Sequence, residues 1–197
     1  MWLPAEHALF ELHDLCVHFF SIFSSMIKAI VDPFLYFAYG SNMLSRRLKL
    51  RTPSATVIGT GFVEQHRLTF DKVSRDGSGK ADIECTGNPT DCVYGVLFSI
   101  AGMEQHDLDE AEGMGRGYRR GEVRIITENG ITTALAYLAT DKESGYRPYD
   151  WYKALVIAGA IEQGLPNAYV EWLRTVQSQP DPNVSRRAKN EALVIDG

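Results

Sequence analysis

Hydrophobic and polar positions follow two different periods along this chain of 197 residues. Within residues 8–31, apolar side chains recur at steps of three and four, which predicts an amphipathic helix. Asp32-Pro33 interrupts that spacing, because proline disfavours helical geometry at the residue before it. From Phe34 onward, short apolar or alternating runs predict strands over 34–38, 55–63, 66–71, 92–99, 118–126 and 131–139.

Helical spacing returns in three later segments. The predicted helices cover 101–112, 149–163 and 168–178, with Asn167 as the cap of the third. Glu128-Asn129-Gly130 predicts a tight hairpin turn. Polar residues 72–91 predict a loop with room for one short strand, and residues 179–190 predict a solvated tail.

This order of elements predicts an α+β fold in one domain over residues 32–178. Strands that come first and are then interleaved with helices favour a small mixed sheet, mostly antiparallel, with helices flanking it. The predicted helix or extension of residues 1–31 precedes that domain. A polar C-terminal tail, residues 179–197, follows it.

Composition and charge narrow the class of protein. The 20 Lys and Arg residues against 25 Asp and Glu residues give a net charge of −5, which provides no uniform positive field for nucleic acid. Cys16, Cys85 and Cys92 form no CxxC pair, so neither a disulfide framework nor a zinc site is predicted. The chain also lacks the glycine-rich nucleotide loops and the HExxH motif. We therefore expect no cofactor and no metal.

The apolar segment before residue 32 bears on location. It begins with acidic residues and lacks the basic start and small-residue cleavage site of a secretory signal. The run from Leu15 to Val31 is short for a membrane span and contains His18 and Lys28. These features predict a cytoplasmic protein without a membrane partner. The segment is interpreted either as a helix packed on the domain or a partner, or as an extension upstream of a start at Met26.

One candidate site is the loop that follows the first strand. In Tyr39-Gly40-Ser41-Asn42, a buried strand stops at a glycine and two short polar residues. Such a loop can turn successive backbone N–H groups toward one point, which suits a carboxylate or an oxyanion. An ordinary turn has the same composition.

The other candidate is the acidic helix that ends at Gly113. At about 100° per residue, Glu112 shares the apolar face of Leu108, whereas Glu110 points away. Burial among other acids would disfavour the charged form of Glu112, as a general base working near neutral pH needs. Glu104 falls on the same side, and a merely solvated acidic helix is the alternative.

Three ordered motifs resemble the γ-glutamylcyclotransferases. They are the stretch from Phe34 to Asn42, the segment Leu108-Asp109-Glu110-Ala111-Glu112-Gly113, and the segment Gly159-Ala160-Ile161-Glu162-Gln163-Gly164-Leu165-Pro166. Arg51-Thr52-Pro53-Ser54-Ala55 also resembles the family's segment after the loop. The resemblance spans residues 34–166 and implies a barrel-like, AIG2-like fold.

The resemblance also implies an activity and a site. It makes Glu112 the catalytic acid/base and places a small γ-glutamyl substrate beside it, with no cofactor. The residues it assigns to substrate binding are Tyr39, Gly40, Ser41, Asn42, Tyr118, Tyr137 and Tyr152. The reaction implied is attack of the substrate's α-amine on its γ-carbonyl, which releases 5-oxoproline and the acylated amine. Asn42 at the fourth loop position favours γ-glutamyl amino acids over glutathione.

Several alternatives stay open at this stage. The leaving half could be a γ-glutamyl amine or a γ-glutamyl-protected metabolite, and a non-catalytic module of the same fold could bind an acidic metabolite. A protein docked on a membrane or partner through its apolar segment, and a homodimer, also stay open. Arg46, Arg47, Lys49 and Arg51 fit a solvated face better than a surface that steers an anionic substrate.

Overall fold

A closed barrel of five strands forms the centre of the protein, whose computed structural model describes residues 32–195. The predicted helix of residues 8–31 lies outside the described residues. The strands of the described chain are β1 (Phe34–Ala38), β2 (Thr56–Glu64), β3 (His66–Val73), β4 (Gly79–Cys85), β5 (Cys92–Ile100), β6 (Tyr118–Thr127) and β7 (Gly130–Ala139). The barrel has the order β1-β5-β2-β6-β7, and β3 and β4 form a separate hairpin.

The barrel pairs its strands in both directions. Four of its ladders are antiparallel, and β1 closes the barrel by pairing parallel to β7 at Tyr36 and Leu135. Phe37, Phe98 and Ile125 fill the interior and are fully buried, and each such side chain contributes about 1.5–3 kcal/mol through burial. The predicted mixed, mostly antiparallel, barrel-like sheet with flanking helices is confirmed.

The hairpin of β3 and β4 extends beyond the prediction. Residues 72–91 were expected to form a loop with at most one short strand, and the structure places the end of β3 and all of β4 there. Asp82 is buried in β4, where it accepts hydrogen bonds from the backbone N–H of Ala139 and pairs with Lys142. Partners distant in sequence therefore satisfy a polar strand that its own pattern does not reveal.

Five α-helices flank the strands of the described chain. They are α1 (Ser45–Lys49), α2 (Gln105–Glu112), α3 (Asp150–Glu162), α4 (Asn167–Thr175) and α5 (Val184–Ile195). The three predicted helices correspond to α2, α3 and α4, although residues 102–104 form a 3₁₀ turn and α4 ends at Thr175. Asn167 is not the cap of α4, because Pro166 holds that position and fixes the entry of the chain. Within residues 32–195, no helix is long and apolar enough to cross a membrane.

The segment predicted as a solvated tail contains helix α5. Asp181 precedes the helix and is buried, and its carboxylate accepts hydrogen bonds from the indole of Trp151 and the guanidinium of Arg186. Hydrogen bonds from Arg186 hold the pKa of Asp181 well below its usual range, against the opposing effect of desolvation. Tertiary contacts with α3 thus stabilise a helix whose side chains stay largely exposed.

Helix α3 packs directly on the loop that follows β1. A Cβ atom at Gly159 would lie 2.4 Å from the backbone nitrogen of Leu44 and 2.7 Å from the carbonyl carbon of Met43. No side chain fits in that space, so glycine permits the contact. The third sequence motif therefore has a physical role in holding the loop in place.

Candidate active site

A small cavity opens where β1 leaves the barrel. Strands β1, β4, β6 and β7, the loop after β1, and helices α2 and α3 all contribute to its wall. Its lining residues are Tyr36, Tyr39, Gly40, Ser41, Asn42, Ala81, Glu112, Tyr118, Tyr137 and Tyr152. The structure thus brings together every residue that the sequence assigned to the site.

Residues 39–42, the substrate loop, turn sharply at the end of β1. Ser41–Met43 form a single 3₁₀ turn, closed by a hydrogen bond from the Met43 N–H to the Gly40 carbonyl. The side chains of Ser41 and Asn42 are buried beside the cavity. A Cβ at Gly40 would lie 3.0 Å from the hydroxyl oxygen of Tyr152, so glycine keeps the loop close to that wall. The first N–H groups of such a turn have no partner within it and can serve a ligand.

Glu112 ends helix α2 and reaches the cavity from the opposite side. Gly113 follows in the left-handed region, with a φ of 71°, and stops the helix. The Glu112 side chain is 17% exposed. Its Oε1 atom accepts hydrogen bonds from Asn42 Nδ2 at 2.8 Å and from Arg51 Nη1 at 2.5 Å. Among the described residues, no group donates to Oε2, which is the oxygen available for chemistry.

The surroundings of this carboxylate correct one expectation. Glu112 does share the face of buried Leu108, and Glu110 points to solvent with 68% of its side chain exposed. Its immediate charged neighbour is the cation Arg51, and not another acid. The expectation of acidic neighbours was wrong because the wheel of α2 carries no information about helix α1.

Glu104 is separated from the cavity. Its carboxylate accepts hydrogen bonds from the backbone N–H and the hydroxyl of Ser54, the latter at 2.6 Å. The Ser54 hydroxyl oxygen also accepts from the N–H of Ala101. Glu104 therefore connects two chain segments, and the ambiguity between the two glutamates is resolved in favour of Glu112.

Tyrosine hydroxyls line the rest of the cavity, and each has a defined partner. Tyr39 donates to the carbonyl of Tyr137, and Tyr118 donates to the carbonyl of Ala81 at 2.6 Å. Tyr152 accepts from the N–H of Ala81, and Tyr36 accepts from Asn42 Nδ2. Burial raises the pKa of all of these tyrosines above the usual value, so they keep their protons at neutral pH. The wall is polar but uncharged.

Helix α1 supplies two cations that the sequence analysis assigned to a solvated face. Arg47 Nε donates to the Ser41 hydroxyl oxygen at 3.0 Å, and Arg51 Nη1 donates to Glu112 and to Asn42 Oδ1. Lys49 of the same basic run is exposed, as predicted. Four-residue spacing was the signal that could have separated Arg47 and Arg51 from Lys49, since it places both on one side of a short helix.

Two lining residues were missed. Tyr36 lies in an uninterrupted apolar run, where no alternation of polar and apolar positions marks which side chains face the cavity. Ala81 contributes its backbone N–H and carbonyl, which no side-chain pattern reveals. Within residues 32–195, no group of three or more His, Cys, Asp or Glu side chains is arranged to hold a metal ion.

Comparison with known proteins places this fold and site. The model of the AIG2-like family matches residues 92–173. Human γ-glutamylcyclotransferase is 36% identical over 155 residues, which cover 74% of this chain and 80% of that protein. The mouse protein of the same name is 35% identical over the same shares of both chains. A solved structure titled γ-glutamyl cyclotransferase superimposes with a TM-score of 0.76 at 34% identity, over 84% of this chain and 100% of that one.

The fold is therefore that of the AIG2-like proteins, a barrel carrying one carboxylate in a cavity walled by tyrosines. At the identity and coverage found, the chain belongs to the γ-glutamylcyclotransferase family of enzymes.

Proposed function

We propose that this enzyme cyclises γ-glutamyl amino acids or related γ-glutamyl compounds to 5-oxoproline and releases the acylated amine, with Glu112 as the general acid/base. The observation that carries the proposal is the state of the Glu112 carboxylate. One of its oxygens is held by Asn42 and Arg51, and the other faces a small cavity without a donor among the described residues. The names of the relatives support the same reaction class.

The first step moves a proton. The α-amine of a γ-glutamyl compound is protonated at neutral pH and must lose a proton before it can attack. Glu112 Oε2 accepts that proton, and the free amine adds to the γ-carbonyl carbon of the same molecule. The new C–N bond closes a five-membered lactam as a tetrahedral oxyanion forms.

The second step returns the proton. The amide nitrogen of the leaving group is a poor leaving group until it is protonated, and Glu112 supplies the proton as the C–N bond breaks. The products are 5-oxoproline and a free amino acid or amine, and Glu112 regains its starting charge. One carboxylate therefore serves as base and then as acid.

The substrate loop and the tyrosines supply binding and orientation. The loop N–H groups and the protonated hydroxyls present donors to the anionic groups of the substrate and of the intermediate. A narrow cavity favours a curled glutamyl chain, with its amine beside its own carbonyl. Such proximity lowers the entropic part of the barrier to an intramolecular attack.

The test is release of 5-oxoproline from γ-glutamyl dipeptides, glutathione, γ-glutamyl-lysine and a γ-glutamyl amine. The wild type is compared with Glu112→Gln, which keeps the size and removes the base, and with Glu110→Gln as a matched control on the exposed face of α2. We expect turnover by the wild type and by Glu110→Gln, and loss of turnover in a folded Glu112→Gln protein. Binding of these compounds without turnover by the wild type would instead support a non-catalytic module.

A further inference from the structure

Helix α1 directs two guanidinium groups at different parts of the site. Arg47 and Arg51 lie four residues apart, and the chain keeps helical geometry through Leu50, so both side chains emerge on one side. The Arg51 side chain is 23% exposed. Lys49 lies between them in sequence and is exposed to solvent.

Arg51 fixes the orientation of the proposed base. Its Nη1 atom donates to Glu112 Oε1 at 2.5 Å and to Asn42 Oδ1 at 3.0 Å. Because the amide oxygen of Asn42 accepts from Arg51, the amide nitrogen must face Glu112 Oε1 and the hydroxyl of Tyr36. Oε1 thereby receives two donors, and the carboxylate is held with Oε2 toward the cavity.

Arg47 acts on the substrate loop in a different way. Its Nε atom donates to the Ser41 hydroxyl oxygen, so the Ser41 proton is left free to be donated to a ligand. Its Nη1 atom donates to Asn190 Oδ1 on helix α5 at 3.0 Å. Asn190 is itself oriented by donating from Nδ2 to the carbonyl of Arg186. Helix α5 thus holds Arg47 in the position that directs the Ser41 hydroxyl.

We propose that Arg51 and Arg47 are positioning residues with separable effects, Arg51 on the chemical step through Glu112 and Arg47 on substrate binding through Ser41. This inference rests on the proposed cyclotransferase function. It adds to that function a division of labour along helix α1 and a part for the C-terminal helix.

Electrostatics give the Arg51 contact its own signature. A cation beside a carboxylate favours the charged form, so removal of Arg51 makes the carboxylate easier to protonate. The acidic limb of the rate profile should then move to higher pH. The other titratable groups that face Glu112 from the surrounding elements are Tyr36, Tyr39, Arg47, Lys72, Tyr118, Tyr137 and Tyr152. None of these donates directly to the Glu112 carboxylate, so the signature belongs to Arg51.

The experiment measures kcat, KM and the pH profile of 5-oxoproline release for Arg51→Gln, Arg47→Gln and the matched control Lys49→Gln. For Arg51→Gln we expect kcat to fall about a hundredfold, with the acidic limb displaced upward by about one pH unit. For Arg47→Gln we expect KM to rise about tenfold, equal to about 1.4 kcal/mol, with the acidic limb in place. Lys49→Gln should behave as the wild type.

Several outcomes would overturn the inference. Equal changes in kcat and KM for the two arginine variants would do so, as would an unmoved acidic limb in Arg51→Gln. If Arg51→Gln does not fold, Arg51→Lys decides, since it keeps the charge but not the two-point contact. We expect it to retain the wild-type limb and to lose about tenfold in kcat, and an unchanged kcat would overturn the proposal. Absence of turnover by the wild type would overturn the proposed function as well.

Discussion

Two carboxylates stand one helical turn apart on α2, and each is paired with an arginine. Asp109 is 4% exposed, and both of its oxygens are occupied. Oδ1 accepts from Arg120 Nε at 2.8 Å and from the Tyr137 hydroxyl at 2.7 Å, and Oδ2 accepts from Arg120 Nη2. Glu112 has the same kind of partners on Oε1 only.

The difference between the two carboxylates lies in what is left unoccupied. The fully bonded Asp109 orients Tyr137 and connects α2 to the barrel strands β6 and β7. The half-bonded Glu112 keeps one oxygen for a ligand. A paired carboxylate near a cavity is thus not by itself a sign of catalysis, and the count of its free oxygens separates a structural group from a chemical one.

The largest expected effect comes from Glu112→Gln. Loss of a general acid/base lowers kcat/KM by about 10²–10⁴-fold, and the melting temperature should stay near that of the wild type. Steady-state release of 5-oxoproline together with thermal denaturation checks both halves of this expectation. A Glu112→Gln protein that is active, or active only because it is less stable than expected, would remove the contrast with Asp109.

Asp109→Asn should give the opposite pattern. The amide cannot accept from Arg120 and Tyr137 as the carboxylate does, so we expect a loss of about 2–3 kcal/mol in the free energy of unfolding. Turnover measured well below the unfolding transition should fall far less than in Glu112→Gln. Chemical denaturation provides the measurement, and unchanged stability would show that the pair with Arg120 contributes nothing to the fold.

Tyr137→Phe should produce a smaller change of the same kind. It removes one of the three hydrogen bonds to Asp109 and leaves the pair with Arg120, which predicts a loss of about 1 kcal/mol. In the double variant with Asp109→Asn the two losses should not add, because both act on one interaction. Simple addition of the two losses would place the role of Tyr137 elsewhere.

The smallest effect concerns pH. Burial acts to raise the pKa of Asp109, but hydrogen bonds from Arg120 and Tyr137 outweigh it and leave that pKa below its ordinary value. A carboxyl group with a lowered folded-state pKa stabilises the fold above its unfolded pKa of about 3.9, and this contribution is lost as the pH falls further. The stability difference between the wild type and Asp109→Asn should therefore be constant near neutrality and shrink below about pH 4. A difference that grows on acidification would contradict this sign.

The sequence predicted the parts of the fold whose pattern is local. Strands such as β6 and β7, with the turn after Thr127, follow from alternation and from the Asn-Gly pair, and α3 follows from helical spacing. β4 and α5 were missed because other elements stabilise them. Asp82 needs Lys142 and β7, and α5 needs the buried Asp181.

The site shows the same division. The substrate loop and Glu112 were found because each belongs to a recognisable short motif. Arg51 was misassigned because its significance lies in a contact between two helices that no helical wheel contains. Tyr36 and the backbone of Ala81 were missed because a uniformly apolar strand and a main-chain group carry no distinguishing letters.

The closure of the barrel by its first strand has a consequence for synthesis of the protein. β1 leads into the substrate loop, yet its two partners, β5 and β7, are translated much later, and α3 later still. Contacts between segments so distant in sequence form slowly and only after the intervening chain is complete. A nascent chain that already holds the loop and Glu112 has no site until α3 leaves the ribosome, so activity should emerge late and in one step.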